Sequence, residues 1–298
     1  MDYNTIVWIL LYPFLAFFLG ILLHGYANKF IARIHRRVGP YWLQPFYDII
    51  KLMRKKTNIS HGYMHDSAMW LLLGGTILTL MFIPVPGFNY FSAYGDVLVI
   101  MYILLIPSLG MALGVGETAN PNGSIGIARA LMLLAGYDVA FALSFVGFAM
   151  ANGTTSMYGL MMAQQKAGVW GWGIFANPFL SAAGYLALMG MLAKKPFEVF
   201  IAPAEIATGP MVEMGGKYLG MMMIQHAIGV FVELMIYINL FMGGARNWLE
   251  LIVKLVVLYT SLLAVGSVFP RYKTDDAVKF MWKYPLALAV VGTLIVIF

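Results

Sequence analysis

Asp138, Glu233 and Lys254 stand deep within apolar runs long enough to cross a bilayer. A charge at mid-bilayer costs at least about 2.5–3.5 kcal/mol, so such residues usually face other helices or water and mark ion pathways. The chemistry they offer is proton or cation transfer between titratable groups. Asp138 has no partner close by in sequence, which favours a part in ion transfer. Glu233 and Lys254 could instead form a buried pair that only fixes helix packing. Arg129, nine residues before Asp138, could join the pathway or pair with Glu117 across a short loop. His24 and His226 could relay protons, because imidazole titrates near neutral pH, or could be satisfied packing residues. His35, His61 and His65 fall in a basic loop, and without cysteine or a His-Glu-x-x-His spacing no metal site is expected. The absence of cysteine also removes disulfides and iron–sulfur ligation, so any redox centre would belong to another chain.

The elements that must carry these residues follow from composition. Of 298 residues, 61% are hydrophobic and 11% charged, against roughly 25% charged in a soluble domain. The expected fold is an all-α integral membrane protein with about eight transmembrane helices, forming a single polytopic domain over 1–298. Apolar runs place the spans near 4–26, 67–85, 94–116, 127–151, 174–193, 218–242, 248–269 and 281–298. Asp2 ahead of the first span, and that span's length, argue against a signal peptide. The 22 methionines and 31 glycines read mainly as packing residues, and Gly215-Gly216 as a tight loop or hinge. Sixteen of the lysines and arginines fall in or beside the loops after odd-numbered spans and two, Lys166 and Arg246, on the opposite side. The positive-inside rule makes the first side cytoplasmic and puts both termini outside. It also explains the net charge of +6 without a nucleic-acid surface.

Two cytoplasmic loops carry patterns of their own. Between the first and second spans, Leu43, Phe46, Ile50 and Met53 recur at helical spacing, with Asp48, Lys51 and Lys55 on other faces and Pro45 suited to the first turn. This predicts an amphipathic helix lying at the membrane interface. In the third cytoplasmic loop, Glu205 and Glu213 are near two helical turns apart, but Pro203, Gly209 and Pro210 oppose an unbroken helix. A bent acidic segment facing the cytoplasm suits an element that senses charge from a partner.

Arg37-Val38-Gly39-Pro40, Leu43-Gln44-Pro45 and Asp48-Ile49-Ile50-Lys51-Leu52 together resemble the signature of the NuoH family. That family is the membrane subunit at the heel of respiratory complex I and of membrane-bound NiFe hydrogenases. Lys195-Pro196-Phe197-Glu198, followed by Glu205, Gly209 and Glu213, resembles its Arg-Ala-Pro-Phe-Asp loop and the glutamates after it. Gly136-Tyr137-Asp138-Val139 is similar to its Ser-Tyr-Glu-Val, with Asp in place of Glu. Only Tyr41 and Trp42 separate Gly39-Pro40 from Leu43-Gln44-Pro45, where complex I members carry a longer insert. Ile201 and Pro203 stand where those members have further acids. The short spacing resembles the hydrogenase-type branch, and both departures weigh against a quinone site.

The resemblance implies a non-redox subunit of a ferredoxin-driven, ion-translocating complex in a prokaryotic plasma membrane. Iron–sulfur clusters, and a NiFe centre in the hydrogenase case, would lie in partner subunits, with no cofactor in this chain. Partners would be hydrogenase-like or complex I-like iron–sulfur and large catalytic subunits, antiporter-like membrane subunits and the lipid bilayer. The redox module would dock on Arg36, Arg37, Gly39, Pro40, Gln44, Pro45, Asp48, Lys51, Pro196, Phe197 and Glu198. Ion movement or coupling would involve Asp138, Glu205, Glu213, Glu233, Lys254, Glu117, Arg129 and His226. Alternatives are the quinone-site subunit of a complex I-type enzyme, a stand-alone secondary transporter, for which no inverted repeat is visible, or a plain anchor, which leaves Asp138 and Glu233 unexplained.

Overall fold

The computed structural model describes residues 3–57, 62–92 and 95–298, without the side chains of Asn4 and Thr5. Asp2, His61 and the expected start of the third span at Tyr94 lie outside the described residues. The chain forms α1 (Tyr3–Ile34), α2 (Gln44–Arg54), α3 (Tyr63–Met81), α4 (Val97–Gly116), α5 (Pro121–Asn152) and α6 (Met157–Ala167). These are followed by α7 (Gly173–Ala176), α8 (Pro178–Met191), α9 (Pro203–Ile206), α10 (Lys217–Phe241), α11 (Trp248–Val268) and α12 (Thr274–Ile297).

Helices α1, α4, α5, α10, α11 and α12 are long and apolar enough to cross a membrane. The other two expected spans are less complete. The 19 residues of α3 begin with a polar turn containing His65 and Asp66. The span expected over 174–193 breaks at Asn177-Pro178, leaving α8 only 14 residues long. The break has a local cause: the Asn177 side chain accepts a hydrogen bond from Leu180 N, and Pro178 has no N–H to continue the ladder from α7. The same economy sets other boundaries. Asn120 and Pro121 start α5, Gly153 ends it in the left-handed region at φ +63°, and Asp96 caps α4. The first helix runs eight residues beyond its expected end at Tyr26, and α6 adds a short helix to the expected set.

At the centre is α10, which touches α1, α2, α3, α6, α7, α8 and α11. From Ala227 to Phe241 nearly every residue of α10 is buried. Around it, α3 packs on α4, α5 on α8 and α12, and α1 on α11. Phe14, Phe18, Trp70, Tyr102, Val257 and Ile295 remain exposed on the outside of the bundle, as lipid-facing positions require.

The α1–α10 crossing is close because Gly20 has no side chain: a Cβ there would run into the carbonyl oxygen of Ala227. Gly25 similarly makes room for the Trp42 carbonyl, so the loop between α1 and α2 folds back along α1. Helix α2 forms as expected, yet its buried stripe is turned from the predicted one. Pro45 and Ile49 are buried, Ile49 against Ile21 and Ala227, while Phe46 and Met53 keep 37% and 39% of their surface. The shift arises because α2 packs against both α1 and α10 and so presents the face toward their groove.

The far end of α10 is held by two polar side chains from elsewhere. Gln164 of α6 donates to the carbonyls of Asn239 and Leu240 at 3.0 Å each and accepts from the backbone of Gly173 and Gly243. Lys254 of α11 donates to the carbonyls of Met242 and Gly244 at 2.7 and 2.6 Å. These bonds satisfy the acceptors that every helix C-terminus leaves open, and a cation also suits its dipole.

Gly20→Ala is expected to force α1 and α10 apart at a cost of about 1–3 kcal/mol, the range for overpacking. Thermal unfolding in detergent would register it as a lower midpoint, whereas Gly74→Ala, at a glycine whose Cβ would meet nothing within 4 Å, should be neutral.

Candidate ion-coupling site

The end of the bundle that carries the two motif-bearing loops encloses a cavity of about 740 Å³. Its walls come from the ends of α1, α3, α4, α5, α8, α10 and α11 on that side, with Pro45 and Ile49 of α2. Most of the lining is apolar, with polar and ionisable side chains distributed along it. Asp138 of α5 and Glu233 of α10 both line it, as do His24 of α1 and His226 of α10. The Gly20 crossing sets the two imidazoles edge to face, ring centroids 5.5 Å apart. Next to them Gln225 donates to the Thr76 hydroxyl at 3.2 Å, and that hydroxyl donates to Leu72 O. One oxygen of Glu233 is buried and has no hydrogen-bond donor among the described residues.

Ion pairs tie the loop between α8 and α10 to α5 and to the residues before α12. Gly126 lets the Gly209-Pro210 turn sit directly on α5. One turn further along, Arg129 reaches Glu205 at 2.7 Å and the Val199 carbonyl at 3.5 Å. Arg271 holds Glu198 at 3.1 Å. The hydrogen bond from Arg129, with the charges of Arg129 and Arg271 adding to it, holds the exposed Glu205 carboxyl below the usual carboxylate range. Glu205 and Glu213 do not share a helical face, because α9 ends at Ile206 and a tight turn at Gly209–Met211 follows. Glu213 is half-buried near the start of α10.

Several expected pairings are corrected by the geometry. Glu117 does not meet Arg129. It accepts a hydrogen bond from the His65 backbone at 2.5 Å, capping the first turn of α3 from the end of α4. Lys254 does not meet Glu233. It pairs with Glu250 one turn away at 2.7 Å, lies 4.0 Å from the Trp172 ring and sits at the opposite end of α10 from the cavity. Pro45, Pro196 and Phe197 are buried and so do not present a docking surface. Phe197 packs on Tyr272 and Phe280, which orients the loop from within. Arg36, Arg37, Gly39, Pro40, Gln44 and Lys51 are exposed at the cavity end, Asp48 is partly covered and accepts from Gln44 at 3.0 Å, and Glu198 is engaged by Arg271.

Sequence reasoning does not single out Lys194, Gln225 and Thr76, which also line the cavity, nor does it join His24 to His226. Among the described residues no cluster of three His, Cys, Asp or Glu is arranged for a metal ion. The assembled features amount to a largely apolar cavity that reaches from the charged loops to Asp138 and Glu233.

Residues 6–297 match the profile of the NADH dehydrogenase family, NADHdh. The H subunit of NADH-quinone oxidoreductase from Aquifex aeolicus is 27% identical over 94% of this chain and 92% of its own length. The equivalent polypeptide of Symbiobacterium thermophilum is 26% identical over 91% and 89%. Among solved structures, a chain of the membrane-bound sulfane sulfur reductase, an archaeal respiratory membrane complex, superposes with a TM-score of 0.93. It shares 40% identity, covering 98% of this chain and 99% of that one.

Because the Glu205 carboxyl titrates low in the folded chain, its pairing stabilises the loop fully above the ordinary carboxylate value of roughly 4.3 and is lost as pH falls through the depressed value. Arg129→Gln should return the titration toward the ordinary value, and raised salt should shrink the difference between the two proteins. Carbon NMR of side-chain-labelled glutamate would read both effects.

Proposed function

Since the chain belongs to the NADH dehydrogenase family, we propose that it is the non-redox membrane subunit of a ferredoxin-driven, ion-translocating oxidoreductase complex. In this reading it docks a soluble redox module on its basic end and couples electron transfer there to movement of H⁺ or Na⁺. The reading is carried by one observation: a single cavity reaches from the first and third loops to Asp138 and Glu233. A charge change in a module seated over those loops would act on these carboxylates through a poorly screened, largely apolar space.

The choice of electron acceptor rests on likeness. Identity is 40% with the sulfane sulfur reductase chain and 26–27% with the two NADH-quinone oxidoreductase chains, across nearly the full length of each. The short Gly39-Pro40 to Leu43-Gln44-Pro45 spacing points the same way. Reduction of a sulfur compound, or of protons by a hydrogenase-type module, is therefore favoured over quinone reduction. Iron–sulfur subunits, a large catalytic subunit and antiporter-like membrane chains are the corresponding partners. Both termini face away from the module, because the basic loops face it.

The decisive experiment is gentle purification of the tagged chain, with identification of what accompanies it and assay with reduced ferredoxin. Co-purifying iron–sulfur subunits with ferredoxin-dependent sulfide or hydrogen production would support the proposal. NADH-dependent quinone reduction would replace it with the quinone reading, and a lone homo-oligomer would end both.

Two sets of variants test the parts. Asp138→Asn and Glu233→Gln should spare assembly and reduce ion movement on the order of 10²-fold, the scale on which a positioned proton-transfer group contributes. Proton or sodium uptake by reconstituted vesicles would report this. Arg36→Glu with Arg37→Glu should instead weaken attachment of the soluble module and lessen its salt dependence, measured by its dissociation from washed membranes.

A further inference from the structure

On the reading just proposed, Glu233 must lose and regain charge within the bundle, and a carboxylate there needs a cation nearby. Most of the basic groups in the region are already engaged. Arg129 is held by Glu205, Arg271 by Glu198, and Lys254 by Glu250 at the far end. Lys195 is exposed. Lys194 differs: it lines the cavity, has no ion-pair partner among the described residues, and lies close enough to act electrostatically on Glu233, His24 and His226 together.

The backbone explains how a loop lysine comes to face inward. Helix α8 ends with Lys194 N bonded to Met189 O at 3.4 Å and Ala193 N bonded to Gly190 O at 3.1 Å. This is the paired closure that turns a chain back on its own helix, and it requires a left-handed residue between them. Ala193 occupies that position at φ +47°, where a side chain costs about 1–2 kcal/mol. Gly266 of α11 then accommodates the Lys195 carbonyl, so the turn is clamped from the other side.

We propose that Lys194 is the countercharge of Glu233, a positioning residue that lets this carboxylate ionise and so sets the pH range over which the coupling works. The groups around Glu233 define the balance. Lys194 comes from the loop after α8, His24 from α1, Asp138 and Tyr137 from α5, and His226 from α10 itself. Helices α2, α3, α4 and α11 add no charged or titratable side chain to the described lining, while His35, Lys195 and Glu198 stand toward the loops. Lys194, less exposed than Lys195, thus shares the cavity with two carboxylates and two imidazoles. Removal of that charge leaves an ionised Glu233 without a nearby cation.

This inference rests on the coupling role proposed for Glu233, and the test separates the two. The intact complex carrying Lys194→Gln, Lys194→Arg or Glu233→Gln is reconstituted, and ion uptake per electron is followed against pH. Lys194→Gln should move the profile to the alkaline side by about one unit or more, and Lys194→Arg should keep it near that of the unaltered complex. If Lys194→Gln fails to assemble, adding Glu233→Gln should restore assembly, since the pair is then neutral. An unmoved profile, or no restoration by the double change, overturns the role of Lys194 while Glu233→Gln still abolishes uptake. Uptake that survives Glu233→Gln overturns the coupling role of Glu233 and the countercharge with it.

Discussion

A helix that carries an ionisable group halfway across a bilayer must be kept from the lipid, and α10 meets that constraint on every side. Helices α1, α2, α3, α6, α7, α8 and α11 touch it. Its closest approach is to α1, where Gly20 lets the two backbones nearly meet. From that crossing follow the facing imidazoles, the seat for α2 and the position of Glu233 in a shared wall. Unpaired polar groups in hydrocarbon cost several kcal/mol each. The glycine is therefore as much a part of the site as the carboxylate, although it has no chemistry of its own.

The two ends of α10 are treated differently. At the loop end the helix borders open space and is flanked by ion pairs that hold separate loops over it. At the far end its carbonyls are tied down by Gln164 and Lys254, and Asn239 donates to the Pro84 carbonyl at 3.1 Å. One end borders a cavity and charged loops, and the other is built as a fixed closure. Lys254 illustrates why an ionisable residue in a membrane run need not move ions: three oxygen partners and an aromatic face already hold it.

What could be read from the sequence was whatever a single helix carries by itself. Asp138 and Glu233 betray themselves by standing in apolar runs, and Asn120-Pro121 or Gly153 mark their boundaries without help from the rest of the chain. The motif-bearing loops were legible too, though not their internal roles, since burial of Pro45 and Phe197 depends on what they rest against. Pairings across the bundle were not legible. Arg129 and Glu117 are near in sequence, but Arg129 lies more than two turns into α5 and looks toward the third loop. Its partner Glu205 is 76 residues away. The neighbour relations of helices, which also decide His24 with His226, appear only when the bundle is assembled.

The cavity's end at Glu233 has an electrical consequence. Among the described residues, no lining position on α10 lies beyond Glu233, and the following stretch from Leu234 to Phe241 is wholly buried. A dry, close-packed layer sustains a voltage better than a stretch of the bundle that is opened by a cavity. A transmembrane voltage would fall mainly over this close-packed half of the bundle, where one charge moved through 100 mV exchanges about 2.3 kcal/mol. Charge rearrangement within the pocket proceeds almost free of that load. On the coupling role proposed for Asp138 and Glu233, the work against a membrane voltage would therefore belong to the close-packed layer and not to the pocket.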